Sequence, residues 1–180
     1  MEKADKQYYK EELAVQPSAT VQKATSSEDG NMSSDTKNTE SIRNFYGSQT
    51  ACVKDQRGLT PCDYYDMLTG IWCAETCAPR LRDRWNADNK TLGQCSVTAF
   101  LLQDFFGGKV YGVLRPGGNY HCFNVVENCV FDLTSEQFGD EVLDYTDCTE
   151  QFREIHFLKE EKRQRYEFLK QRVIQKLQKE

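Results

Sequence analysis

A chain of 180 residues has room for one domain of ordinary size and some disordered surplus. Its net charge of −5 and its pI near 5.2 exclude the basic face that a general nucleic-acid binder needs. No apolar run is long enough to span a membrane, so neither nucleic acid nor membrane is expected as a partner.

The first eight residues, Met1 to Tyr8, lack the apolar stretch of a signal peptide. The eight cysteines are therefore expected as reduced thiols in a cytoplasmic chain, not as a disulfide framework. Up to about residue 48 the chain is dominated by Ser, Thr, Lys, Glu, Asp, Asn and Gln, and residues 26–35 show no apolar periodicity. Such a segment cannot bury enough surface to offset the entropy of ordering it. The expected organisation is a disordered tail over 1–55, with a brief helix around 42–46, followed by one α+β domain over 56–180.

Pro61 suits the first turn of a helix. Tyr64, Met67, Leu68, Ile71 and Trp72 then recur near helical spacing, which predicts a helix over 63–77. Cys73 and Cys77 would share one face of it. Structural zinc takes four ligands, usually as two closely spaced pairs, and only Cys52 and Cys62 stand upstream, so thiols in or near the core are the expected reading. Pro79 breaks the helix, and residues 80–87 form a charged loop around Trp85.

Residues 93–108, Gly-Gln-Cys-Ser-Val-Thr-Ala-Phe-Leu-Leu-Gln-Asp-Phe-Phe-Gly-Gly, read as one central helix stopped by two glycines. Cys95 falls in its first turn. Backbone N–H groups are unpaired there and the helix macrodipole is positive, and both favour thiolate over thiol. Most cysteines are simply small buried hydrophobes; the histidine and aspartate downstream set Cys95 apart.

Residues 109–114 are strand-like and 115–119 form a turn. Residues 120–126 and 129–134 then make a hairpin around the two-residue step Glu127-Asn128. That register puts Asp132 opposite Phe123, with His121 diagonal to it on the same face. Residues 134–138 leave the sheet as a short turn, and 140–148 are an acidic loop. Residues 149–180 predict a charged helix with Ile155, Leu158, Tyr166, Leu169, Val173, Ile174 and Leu177 as its apolar stripe. That stripe packs on its own domain or receives a protein partner. His156, on the same helix, reads as solvated.

Cys95, His121 and Asp132 supply a nucleophile, a base and an orienting acid. The backbone N–H of Cys95 can serve an oxyanion hole, with Gln94 or Asn124 as side-chain donors. Each residue also has a bland reading: a strand histidine is usually structural, and Asp132 can simply cap the following turn.

Ile71-Trp72 with Glu75-Thr76, Trp85, residues 93–99, Gln103-Asp104, Gly107-Gly108, His121 with Asn124, Asp132-Leu133-Thr134 and Gln137-Phe138 resemble the YunG-like family of small uncharacterised bacterial proteins. The resemblance runs over about residues 64–178, through Arg165-Tyr166 and Leu169, and leaves out the tail. More remotely, the order G-x-C-x-x-x-A, then H, then D-x-T is similar to the transglutaminase-like core of the papain-like cysteine fold. That resemblance implies Cys95, His121 and Asp132 as triad positions, on an α+β fold with the cysteine helix packed on an antiparallel sheet. The pattern usually has an aromatic after its histidine, where this chain has Cys122-Phe123.

The expected function is a cofactor-free hydrolase or acyl transferase acting on an amide, thioester or isopeptide bond of a small-molecule, peptide or protein substrate. Its rivals are a non-catalytic binding domain on the same fold, and a metal-binding protein using Cys95, His121 and Asp132 or Cys73 and Cys77.

Overall fold

A computed structural model describes residues 43–51 and 53–179. The expected tail up to residue 42 and Cys52 lie outside the described residues. From Arg43 onward the expected boundary moves: Phe45 is 2% exposed and packs on Tyr65 with ring centroids 4.9 Å apart. Tyr46 pairs with Asp132 as an isolated antiparallel bridge, and Ala51 and Val53 lie against the core. Two aromatics, Phe45 and Tyr46, anchor this polar segment, which a composition argument averages away.

The described unit is α+β. Helix α1 (Pro61–Thr69) and helix α2 (Cys95–Phe106) precede strands β1 (Lys109–Leu114), β2 (Tyr120–Val126), β3 (Cys129–Phe131) and β4 (Thr149–Glu150). A single turn, α3 (Arg153–His156), and the long α4 (Glu160–Leu177) complete it. The strands form an antiparallel sheet in the order β3-β2-β1-β4. Helix α2 packs on β2 and β1, with α4 against it as well.

Local chemistry sets these elements. Thr60 and Asp63 form a reciprocal capping box at the start of α1, with Pro61 in the first turn. The helix stops at Thr69, eight residues short of the expected 63–77 span. Gly70 caps it, and the Thr76 hydroxyl then both accepts from Cys73 N–H (3.0 Å) and donates to Cys73 C=O (2.9 Å), holding residues 73–76 as a turn. Cys73 and Cys77 therefore do not share a helix face. Trp72 still reaches the core, where its indole N–H donates to Thr98 Oγ1 at 3.0 Å.

Gly93 takes φ +69° immediately before α2, and a Cβ there would stand 2.8 Å from Cys77 Sγ. From that turn the helix runs through buried Val97, Ala99, Phe100, Leu101 and Leu102 to Gly107 at φ +73°. The hairpin has the expected register, Asn124↔Phe131, Val125↔Val130 and Val126↔Cys129, with Glu127 at φ +53° in the turn.

The C-terminal region departs from a single helix over 149–180. Residues 149–150 add an edge strand to β1, and α4 starts only at Glu160. Ile155 and Leu158, placed on the stripe, are 64% and 83% exposed. Tyr166, Leu169 and Val173 do face the core, so the buried part of the stripe packs on its own domain and not on a partner. Arg165 is 5% exposed and clamps α4 to the chain before α2: Nε donates to Thr76 C=O (3.0 Å) and Nη2 to Gly93 C=O (3.1 Å). No helix among the described residues is long and apolar enough to cross a membrane.

Leu169 is fully buried. Leu169→Ala is expected to lower unfolding free energy by about 2–4 kcal/mol, read from chemical denaturation. Ile174→Ala, at a position 37% exposed, should change it by no more than about 0.5 kcal/mol.

Candidate functional site

Cys95 is the first residue of α2 and is half-buried, the sulfur facing β2. The groups that act on its thiol are the Cys122 thiol, the His121 ring and the Cys122 backbone N–H. The Cys122 thiol bond and the His121 imidazole hold the Cys95 thiol well below its ordinary value against the opposing pull of burial. Cys122 moves the other way, pushed well up by the same contact and by its own burial. One sulfur of the touching pair therefore carries the charge, and the half-buried one is favoured.

His121 is 2% exposed, and its Nε2 is hydrogen-bonded to Asp132 Oδ2. With Nε2 committed to Asp132, Nδ1 is the ring nitrogen left to serve Cys95, whose sulfur helps keep the imidazole protonated. Burial pulls the imidazole down, but the Asp132 carboxylate and the Cys95 sulfur outweigh it and push its pKa up to about 10. Both shifts favour a thiolate beside an imidazolium. Phe138 packs edge-on against the ring with centroids 4.7 Å apart, and Arg115 covers Phe138 while bonding Glu141 at 2.8 and 2.9 Å.

Asp132 is saturated. Its Oδ1 accepts from Thr134 N–H (2.9 Å) and Thr134 Oγ1 (3.0 Å), and its Oδ2 accepts from Tyr145 Oη (3.0 Å) besides His121. The capping role and the histidine-orienting role coexist, one on each oxygen. Of these partners, Thr134 lies within the D-x-T string, whereas nothing in the sequence marks Tyr145. Gln137 was also missed as a contact: its Oε1 accepts from Gly93 N–H (3.3 Å), while its Nε2 donates to Thr134 C=O (2.7 Å) and lies 3.5 Å from His121 Nδ1.

Both expected side-chain oxyanion donors already donate to a backbone carbonyl. Gln94 precedes Cys95 and is fully buried; its Nε2 donates to Cys73 C=O (3.0 Å), and its Oε1 has no hydrogen-bond partner. Asn124 is already engaged. Its Nδ2 donates to Ala99 C=O (2.9 Å), tying β2 to the middle of α2, because residue 124 lies on the sheet face that α2 covers.

His156, expected as solvated, is half-buried beside the same site. Its ring stands edge-on to Phe100 at 5.0 Å, Nδ1 accepts from Lys162 Nζ (3.0 Å), and Nε2 contacts Gln151 Oε1 (3.0 Å). An ammonium can only donate, so Nδ1 is the acceptor and Nε2 carries the hydrogen. Burial and the Lys162 charge push His156 down to about 4, against a pull upward from Cys95. It is neutral at physiological pH. Among the described residues, no three His, Cys, Asp or Glu side chains converge as metal ligands.

The raised His121 is directly measurable. In the intact protein the ring should stay protonated through pH 8 by NMR, and in Asp132→Asn it should titrate about 1–3 pH units lower. By linkage, a group whose folded pKa is raised gives its full stabilisation below its unfolded value near 6.5 and loses it as pH climbs toward about 10.

The family model described as YunG protein matches residues 60–178. A curated relative, the "Uncharacterized protein YunG" of Bacillus subtilis (strain 168), is 40% identical over 55 residues, which are 31% of this chain and 47% of the relative. The alignment thus spans about half of that relative's length. No solved structure matches. The family match covers α1 through α4, with Cys95, His121 and Asp132 inside it, and the chain belongs to the YunG family.

Proposed function

We propose that this chain is a cysteine-nucleophile hydrolase or acyl transferase acting on an amide, thioester or isopeptide bond through Cys95, His121 and Asp132. The observation that carries this reading is the line of contacts. A half-buried sulfur at a helix start is drawn toward thiolate by a buried imidazole, one nitrogen of which is held by a fully hydrogen-bonded carboxylate. The order of helix cysteine, strand histidine and acid after the next antiparallel strand is similar to the transglutaminase-like core of the papain-like fold, which supports it. A cytoplasmic setting goes with it, since the nucleophile must stay a free thiol.

The chemistry proceeds from the positions. The Cys95 thiolate attacks the carbonyl carbon and a C–S bond forms. The oxyanion develops at the α2 N-terminus, where Cys95 N–H is the donor. His121 Nδ1–H gives its proton to the leaving amine or thiol as that bond breaks, which leaves a thioester. Water or an acceptor amine then attacks, gives its proton to Nδ1, and the C–S bond breaks to return the thiolate. Asp132 keeps the ring oriented and takes no proton.

The test is selective alkylation. At about pH 6 an unpaired thiol is thiolate in well under ~1% of molecules. Iodoacetamide should therefore label Cys95 far ahead of the other cysteines, as read by peptide mass spectrometry. His121→Ala should abolish that lead and Asp132→Asn should weaken it, with circular dichroism confirming that both fold. A Cys95 no faster than Cys148, or indifferent to His121, sinks the enzyme reading and favours a binding domain on this fold.

A further inference from the structure

The short 3-10 turn over Ser135–Phe138 delivers two consecutive side chains to His121. Phe138 meets the ring edge-on, and Gln137 stands at Nδ1. The Gln137 amide makes three polar contacts with separate parts of the chain: Gly93 before α2, Thr134 after β3 and His121 on β2. Its anchor at Gly93 is firm, because the Gly93 carbonyl accepts from Arg165 Nη2 (3.1 Å) and from Ala78 N–H (3.0 Å).

Those partners fix which way the amide points. Gly93 N–H can only donate, so the atom 3.3 Å from it is Oε1. Thr134 C=O can only accept, so the atom 2.7 Å from it is Nε2. Turning the amide over would set donor on donor and acceptor on acceptor. Of the two hydrogens on Nε2, one goes to Thr134 and the other is left for His121 Nδ1 at 3.5 Å. A donor can bond Nδ1 only when that nitrogen carries a lone pair, which is the neutral ring with its hydrogen on Nε2, toward Asp132. While Nδ1 holds a proton the two N–H groups confront each other, and the separation stays beyond an ordinary bond of about 2.7–3.2 Å.

We propose that Gln137 is a positioning residue of the Cys95 site: its amide receives Nδ1 once the ring has passed its proton to the leaving group, and so makes His121 a readier acid. The proposal rests on Cys95 being the nucleophile. As the bond from the carbonyl carbon to the leaving group breaks, the Nδ1 proton follows the leaving amine or thiol. The electron pair left on Nδ1 then accepts the Gln137 N–H. When water or an acceptor amine attacks the thioester, its proton returns to Nδ1 and that bond opens again. An interaction that forms only as the proton leaves stabilises the reacting state over the resting one. Through Gly93, two residues before Cys95, the same amide keeps the ring in register with the start of α2.

The test is a titration of the His121 ring by NMR on the full chain in a Cys95→Ala background, where the sulfur no longer raises it. The other titratable and charged groups about the ring stay the same in every variant. They are Asp132 with Tyr145 on its carboxylate, Cys122 next to it on β2, Arg115 and its partner Glu141 beyond Phe138, and Glu136, turned to the Tyr65 hydroxyl. Gln137→Met should raise the His121 pKa by about 0.4–1 pH unit, the weight of one amide hydrogen bond to the neutral ring. Gln137→Glu keeps an acceptor for Gly93 but loses the donor and adds a charge, and should raise it by at least about 1 pH unit. At high pH the Nδ1 resonance should be that of a bonded imine nitrogen with Gln137 present and of a free one in Gln137→Met. A side chain that only braces Gly93 and Thr134 would move neither readout. Circular dichroism confirms that each variant folds. An unmoved His121 overturns the proposal, and so does a fall in its pKa, which would mean that an acceptor faces Nδ1. The two readings fail separately: a native Cys95 alkylated by iodoacetamide no faster than Cys148 sinks the nucleophile, whereas a fast Cys95 with an unmoved His121 sinks only the role of Gln137.

Discussion

The buried carboxylate of Asp132 is the constraint around which the described unit is arranged. Leaving such a group unpaired out of water costs several kcal/mol (about 3–5), so every donor placed on it is under pressure to stay. Its donors come from separate parts of the chain: His121 on β2, Thr134 after β3, and Tyr145 in the acidic loop. Its own backbone N–H donates to Tyr46 C=O at 3.0 Å, bringing in the segment before α1. One residue therefore fixes the imidazole, ends β3, and holds two loops that carry no regular structure of their own. The same pressure explains why Cys95 meets a charged ring: the carboxylate stabilises an imidazolium, and the imidazolium stabilises a thiolate.

Much of this was legible because it follows from short-range rules. The α2 helix announces itself by its apolar circumference and its glycine stop, and Cys95 by its place in the first turn. The hairpin register follows from a two-residue turn, and with it the approach of His121 to Asp132. These depend on spacing alone, and spacing is what a sequence records.

What was not legible depends on contacts between distant segments. Phe45 looks like noise in a polar tail until Tyr65 is beside it. His156 reads as a surface residue because nothing within the 149–180 stretch reveals that β4 pairs with β1 and turns the chain over Phe100. Asn124 passes for an oxyanion donor until the carbonyl of Ala99 is found to occupy it. Cys122 stands out in the sequence only as a departure from an expected aromatic, whereas in the folded chain its thiol and backbone N–H help draw the Cys95 thiol below its ordinary value. In each case a partner distant along the chain decides the role.

The bridge between Tyr46 and Asp132 separates two ways of drawing the domain's edge. Similarity to the family begins at residue 60, and a truncated form made to that boundary would contain every residue of the Cys95–His121–Asp132 line. It would nevertheless leave Asp132 N–H without the Tyr46 carbonyl, Ser135 Oγ without the Tyr46 N–H that it accepts at 2.8 Å, and Tyr145 without the ring stacked on it at 4.1 Å. All three losses fall on the acid and its immediate supports. The smallest piece that looks like the family is thus shorter than the smallest piece that keeps these contacts, and a minimal protein for biochemical work should begin upstream of Arg43.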